Sequence, residues 1–76
     1  MRIRVYLENS NALALKVVRK ALYERISMIE YTNNVRAADL KINCLYINKD
    51  HIHLHKANML KEIETKFYQL NKKAVI

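Results

Sequence analysis

Three histidines, His51, His53 and His55, recur at every second position, and a strand through them would carry all three imidazoles on one face. Such a row can hold a zinc ion. A catalytic zinc also needs an open coordination position and partners that orient its ligands, and no supporting ligand motif accompanies these three residues. The plainer expectation is a solvated or RNA-facing strand surface with no metal. Cys44 is the sole cysteine, so neither an internal disulfide nor a multi-cysteine zinc site is available. Its apolar surroundings, without an activating motif, mark it as a small buried hydrophobe and not a nucleophile. Glu62 and Glu64 lie two apart in a helical stretch and do not share a face, which argues against a paired acid and base. The chain has neither Gly nor Pro, so a Gly-rich loop that cradles phosphate is excluded. Neither an enzyme nor a cofactor is expected.

What remains is charge. Fourteen Lys and Arg stand against seven Asp and Glu, a formal net charge of +7 on 76 residues, with a sequence pI of about 9.8. Such an excess disfavours self-association and attracts polyanions, with nucleic acid first among them. Arg2 and Arg4 share the outward side of an alternating segment with Tyr6, an arrangement suited to phosphates and to stacking a base or ribose. Lys16, Arg19, Lys20 and Arg25 follow in a helical stretch, and Arg36, Lys41, Lys49 and Lys56 fall in or beside loops. Scattered cations can serve solubility alone. A one-sided excess with sparse acids from Arg2 to Lys56 favours RNA or DNA. There is no apolar run of about 18 residues, so no transmembrane helix and no membrane partner is expected. The opening MRIRVYLEN alternates where a signal peptide would run apolar.

The elements that must position these residues follow from periodicity. Ile3, Val5 and Leu7 alternate with Arg2, Arg4, Tyr6 and Glu8, the pattern of a half-buried strand. Asn9, Ser10 and Asn11 can cap a helix, and Ala14, Leu15, Val18, Ala21, Leu22 and Ile26 place it over 11–26. Residues 28–32 read as a short strand before the Thr32-Asn33-Asn34 turn, where Asn can replace Gly. Leu40, Ile42, Cys44 and Tyr46 form the next alternating run, Asn48-Lys49-Asp50 a turn, and 51–56 a further strand with Ile52 and Leu54 inward. Asn58 caps a second helix with Leu60, Ile63, Phe67 and Leu70 as its stripe, and Ala74-Val75-Ile76 begin a last strand. The expected fold is one α+β domain over 1–76, a ferredoxin-like split βαβ plait with two helices on one face of a mostly antiparallel sheet. A chain this short buries only about 60–65% of its unfolded surface, so it is expected to be either marginally stable alone or built into an assembly that adds burial and counter-charge.

Arg2-Ile3-Arg4-Val5-Tyr6-Leu7, then Asn9-Ser10-Asn11 ahead of Leu13, Leu15, Val17 and Val18, together with Asn48-Lys49-Asp50 ahead of Ile52, His55 and Lys56, resemble the small-subunit ribosomal protein ten family. The similarity covers about two thirds of the chain in short pieces whose order and spacing agree. It lacks the family's proline-containing loop, and the 33–40 segment is short. A reduced organellar form accounts for these differences, and the abundance of Ile, Asn, Lys and Tyr suggests AT-rich coding, as in a mitochondrial genome. The resemblance implies a structural constituent of the small, mitochondrial ribosomal subunit, with ribosomal RNA and neighbouring ribosomal proteins as partners. Arg2, Arg4, Arg19, Arg36, Lys49, His55 and Lys56 would then neutralise phosphates. The rival expectation is a small basic phage or plasmid regulator that binds DNA or a host protein.

Overall fold

The structure, a computed structural model, describes residues 2–45, 47 and 50–75, with side chains through residue 72. The first strand, β1 (Ile3–Glu8), buries Ile3, Val5 and Leu7 and turns Arg4 and Glu8 to solvent. Asn9 then adopts φ 56°, a left-handed conformation that Asn tolerates better than most side chains and that Gly would otherwise take. Asn9 Nδ2 donates to Asn43 Oδ1 at 3.1 Å, which secures the turn. Asn11 caps α1 (Ala12–Ala21), its side-chain oxygen accepting from the Ala14 amide at 2.8 Å, so one of the orphan amides of the first turn is satisfied.

The expected helix over 11–26 is shorter than its pattern. Ala14, Val18, Ala21 and Leu22 are buried, but Ile26 is 46% exposed. After Leu22 the chain tightens into a 3-10 segment (Tyr23–Met28) interrupted at Arg25. Ile26 therefore sits off the apolar stripe that continued α-geometry would have given it. Two ion pairs hold this segment against the last helix, Lys56 with Glu24 at 3.0 Å and Arg25 with Glu64.

The strands β2 (Ile29–Tyr31) and β3 (Leu40–Asn43) flank β1 in the order β2-β1-β3, and both run parallel to it. This corrects the expected antiparallel plait. The segment 51–56, read as a fourth strand, opens α2 (Ile52–Val75), so the hairpin that would have brought antiparallel pairing does not form. Ile52 is half-buried in line with Met59, Ile63 and Phe67, whereas Leu54 is 61% exposed. The i, i+7, i+11, i+15 stripe thus outweighs a six-residue alternation. The helix expected to begin at Asn58 starts six residues earlier. Ala74 and Val75, expected in a last strand, continue α2; Ile76 lies outside the described residues, as do Tyr46, Asn48 and Lys49.

The parallel sheet is staggered. Ile3, Arg4 and Val5 pair with β2, while Val5 through Glu8 pair with β3, so Val5 is the level at which both neighbours meet. Tyr31, the end of β2, and Leu40, the start of β3, both lie opposite Val5. The connection between them needs only to cross two strand spacings, roughly 10 Å, and residues 32–39 suffice. Within it Thr32 Oγ1 accepts from the Asn34 amide at 3.1 Å. Asn34 Oδ1 in turn accepts from the Arg36 amide at 3.0 Å, starting a 3-10 turn (Val35–Ala37).

Both helices cover one face, the part of the expectation that holds. Ile3, Val5, Ile29 and Ile42 of the sheet join Val18 and Leu22 of the first helical region and Met59 and Ile63 of α2 in one core. The other face carries Arg4, Glu8, Glu30, Lys41 and Asn43 exposed and Tyr6 half-buried. Parallel sheets are ordinarily covered on both sides, and here the alternation of polar residues replaces the second layer.

Ile63 is fully buried where α2 crosses the sheet. Ile63→Ala is expected to cost about 2–5 kcal/mol, a large part of the total of about 4–11 kcal/mol that a chain of this length commands. Leu54→Ala on the same helix should stay within about 0.5 kcal/mol, and urea unfolding of both variants measures the contrast.

Candidate nucleic-acid interface

α1 carries three cations and no acid. Lys16, Arg19 and Lys20 are exposed on it, and their i, i+3, i+4 spacing forms one ridge. None of the three has an ion-pair partner among the described residues. The two acids nearest in sequence after the helix, Glu24 and Glu30, do not neutralise it. Glu24 is held by Lys56, whose hydrogen bond and charge lower the Glu24 carboxyl below its usual range, and Glu30 lies on the open sheet face.

A depression flanks the ridge on each side. Between α1 and the start of α2 lies a groove of about 800 Å³, floored by Leu13, Val17 and Ile52 and rimmed by Lys16, Lys20 and Lys56. On the opposite flank, beyond the end of β2, a cavity of about 240 Å³ is lined by Tyr6, Ser10, Arg19, Tyr31, Thr32 and Asn33. There the Arg19 guanidinium carbon stands 4.9 Å from the centroid of the Tyr31 ring, within cation–π range. Burial pushes the Tyr31 hydroxyl up from the ordinary tyrosine value, against the opposing pull of Arg19. That hydroxyl is closed off from solvent and finds no hydrogen-bond partner.

The residues expected to contact phosphate are divided. Arg2 precedes β1 and Arg4 lies on the open face, both exposed. Arg19 belongs to the ridge, and Arg36 is exposed in the turn between β2 and β3. Lys49 lies outside the described residues. His55 and Lys56 do not act as a pair: His55 lines a depression with Lys41, Asn43 and Glu62 beside β3, whereas Lys56 turns toward α1 and Glu24. Consecutive helical residues diverge by about 100°, and this separation follows from 52–56 being helix.

The same geometry undoes the shared face of the three histidines. His53 lines the α1–α2 groove and His55 the β3 depression, and among the described residues no group of three His, Cys, Asp or Glu is placed to hold a metal. Cys44 is buried, with Sγ 3.8 Å from the Ile42 carbonyl oxygen, and burial pushes its thiol up. No helix among the described residues is long and apolar enough to cross a membrane. Lys16 and Lys20 were visible as cations but not as a site. The signal that would have singled them out is their spacing around Arg19 in a helix without an acid.

Compared with protein-family models, curated proteins and solved structures, the chain matches none. The fold and the ridge therefore define it as a small basic α+β domain, and no family membership is assigned.

Tyr31 and Cys44 both have raised folded-state values. Groups of this kind contribute stability that is complete below their unfolded pKa and is lost as pH rises through the folded one. The melting temperature should therefore fall above about pH 9–10. Tyr31→Phe removes an unpartnered hydroxyl and should hold or gain up to about 1 kcal/mol at neutral pH while weakening the alkaline fall. A Tyr31→Phe protein that loses several kcal/mol would show that the hydroxyl is bonded.

Proposed function

We propose that this chain is a non-catalytic RNA-binding protein working inside a ribonucleoprotein, with the small ribosomal subunit, of mitochondrial type, as the assembly. The observation that carries the RNA reading is the ridge of Lys16, Arg19 and Lys20, without an ion-pair partner among the described residues, in a chain whose net charge is +7. Phosphate contacts made by such cations supply affinity by releasing counterions. Polar and aromatic groups at the flank, Tyr6, Tyr31 and Asn33, suit the sugars and bases beside those phosphates.

The ribosomal part rests on narrower ground. It is supported by the Arg2–Leu7 opening and by the composition, while the parallel sheet departs from the plait that the family resemblance implied. Of the residues implied by that resemblance, Arg19 stands in the proposed interface; Arg2, Arg4 and Arg36 add positive charge elsewhere on the surface. Neighbouring ribosomal proteins would meet the surfaces that RNA leaves free.

Binding of single-stranded RNA should weaken as salt rises, with a slope of about 0.7 for each neutralised phosphate. Lys16→Ala with Lys20→Ala should lower that slope by about 1.4 and leave the fold intact, since both side chains are exposed. A flat salt response would remove the RNA reading. A defined DNA duplex bound in preference to RNA would favour a regulator instead. Loss of the native protein from ribosomal subunits in a high-salt gradient would remove the ribosomal assignment alone.

A further inference from the structure

We propose that the cavity beside Arg19 and Tyr31 receives one unpaired nucleotide, so that the protein reads single-stranded RNA at this point and not duplex; the inference rests on the RNA-binding reading above. Its first support is the stagger of the sheet. The bonds from the Thr32 amide to the Val5 carbonyl (3.0 Å) and from the Asp39 and Cys44 amides to the Arg4 and Glu8 carbonyls (2.7 and 2.8 Å) show the alternation of β1. Val5 directs its backbone groups toward β2, and Arg4 and Glu8 direct theirs toward β3. By the same alternation Leu7 faces the β2 side, but β2 ends opposite Val5. The Leu7 N–H and C=O therefore have no strand partner on that side, and Leu7 is one of the residues that line the cavity.

A backbone donor and acceptor fixed on a strand edge are suited to the polar edge of a base. They cost no side-chain ordering and are costly to leave unmatched when a ligand shuts out water. Arg19 offers a planar guanidinium, pre-positioned on the Tyr31 ring, whose outer donors match a phosphate. Ser10, Thr32 and Asn33 supply hydroxyl and amide groups for a ribose, and Tyr6 brings a second aromatic ring to the rim. At about 240 Å³ the space lies below the roughly 300–1,000 Å³ of pockets for drug-sized ligands. That size fits the base of one nucleotide, with its ribose and phosphate at the open rim beside the exposed Ser10, Asn33 and Arg19, and not a larger cofactor.

Duplex RNA cannot offer this group. Its bases are stacked and paired, and recognition there proceeds through shape, phosphate and 2′-hydroxyl contacts. Lys16 and Lys20, on the far side of the ridge, serve either form of RNA, whereas the cavity selects the form with a free base.

The test is an amide NMR titration of the full chain with each of the four nucleoside 5′-monophosphates and, separately, with inorganic phosphate. Saturable movement of the Leu7 and Asn33 amides by at least one nucleotide, not reproduced by phosphate at the same concentration, is the expected result. In parallel, a single-stranded oligoribonucleotide should bind at least tenfold more tightly than a duplex of the same length. Arg19→Lys, which keeps the charge and loses the planar fork, should cost about tenfold on the single strand and leave duplex binding within about twofold. Lys16→Ala should weaken both alike. RNA binding with the expected salt slope but equal affinity for single strand and duplex, or a Leu7 amide that phosphate alone moves, overturns the inference and leaves the RNA reading standing. A chain that binds no RNA overturns both.

Discussion

The structure depends on one strand being shared. β1 supplies backbone partners to β2 along its first half and to β3 along its second, and only at Val5 do both neighbours coincide. Because the strands are short and offset, the chain can return from β2 to β3 in eight residues without Gly or Pro. Asn and Thr side chains do the turning, Asn9 at positive φ and Thr32 and Asn34 by accepting backbone amides. The same offset leaves the upper edge of β1 without a neighbour on the β2 side, and there the smaller cavity forms beside α1. Topology and site thus have a common origin.

Charge is distributed with a comparable division of labour. Glu24 and Glu64 are taken up in pairs with Lys56 and Arg25, fastening the 3-10 segment to α2. All four side chains in those pairs are substantially solvated, so each pair adds little stability by itself; their importance is that they occupy acids. Glu24, the acid that follows α1 most closely in sequence, is among those taken up, and Lys16, Arg19 and Lys20 have no ion-pair partner among the described residues.

Much of this was legible in the residues, and the failures have identifiable causes. The inward set Ile3, Val5 and Leu7 and the Ile63–Phe67–Leu70 stripe were plain, because alternation and helical spacing there had no competitor, and the cap was narrowed to Asn9, Ser10 or Asn11, of which Asn11 serves. At 51–56 two periods competed. Three histidines and the apolar Ile52 and Leu54 alternate convincingly over six residues, and only the continuation to Met59 and Ile63 reveals the longer helical stripe. That one reversal dispersed the histidines, parted His55 from Lys56 and removed the hairpin on which antiparallel pairing depended. Strand direction is not written in any single segment, since it depends on what each connection can span. The site was half legible: Arg19 is marked by its charge, but nothing in the sequence singles out Tyr31, because the approach of the two requires β2 to stop where it does.

The ridge also bears on folding itself. Lys16, Arg19 and Lys20 repel one another within two turns of α1, and the core that must hold that helix rests on Ala14, Val18, Ala21 and Leu22, with Leu15 and Val17 partly buried beside them. Like charges at i, i+4 oppose a helix by a few tenths of a kcal/mol, and the unfolded chain, being more extended, feels less of the repulsion. A polyanion on the ridge reverses the sign of that contribution. A ligand that binds the folded arrangement of cations better than the dispersed one stabilises it by mass action, by an amount that grows with the logarithm of its free concentration above its Kd. If the proposed RNA is the partner, scarcity of acid and small size become parts of one arrangement, in which phosphate would supply the counter-charge that the chain does not carry.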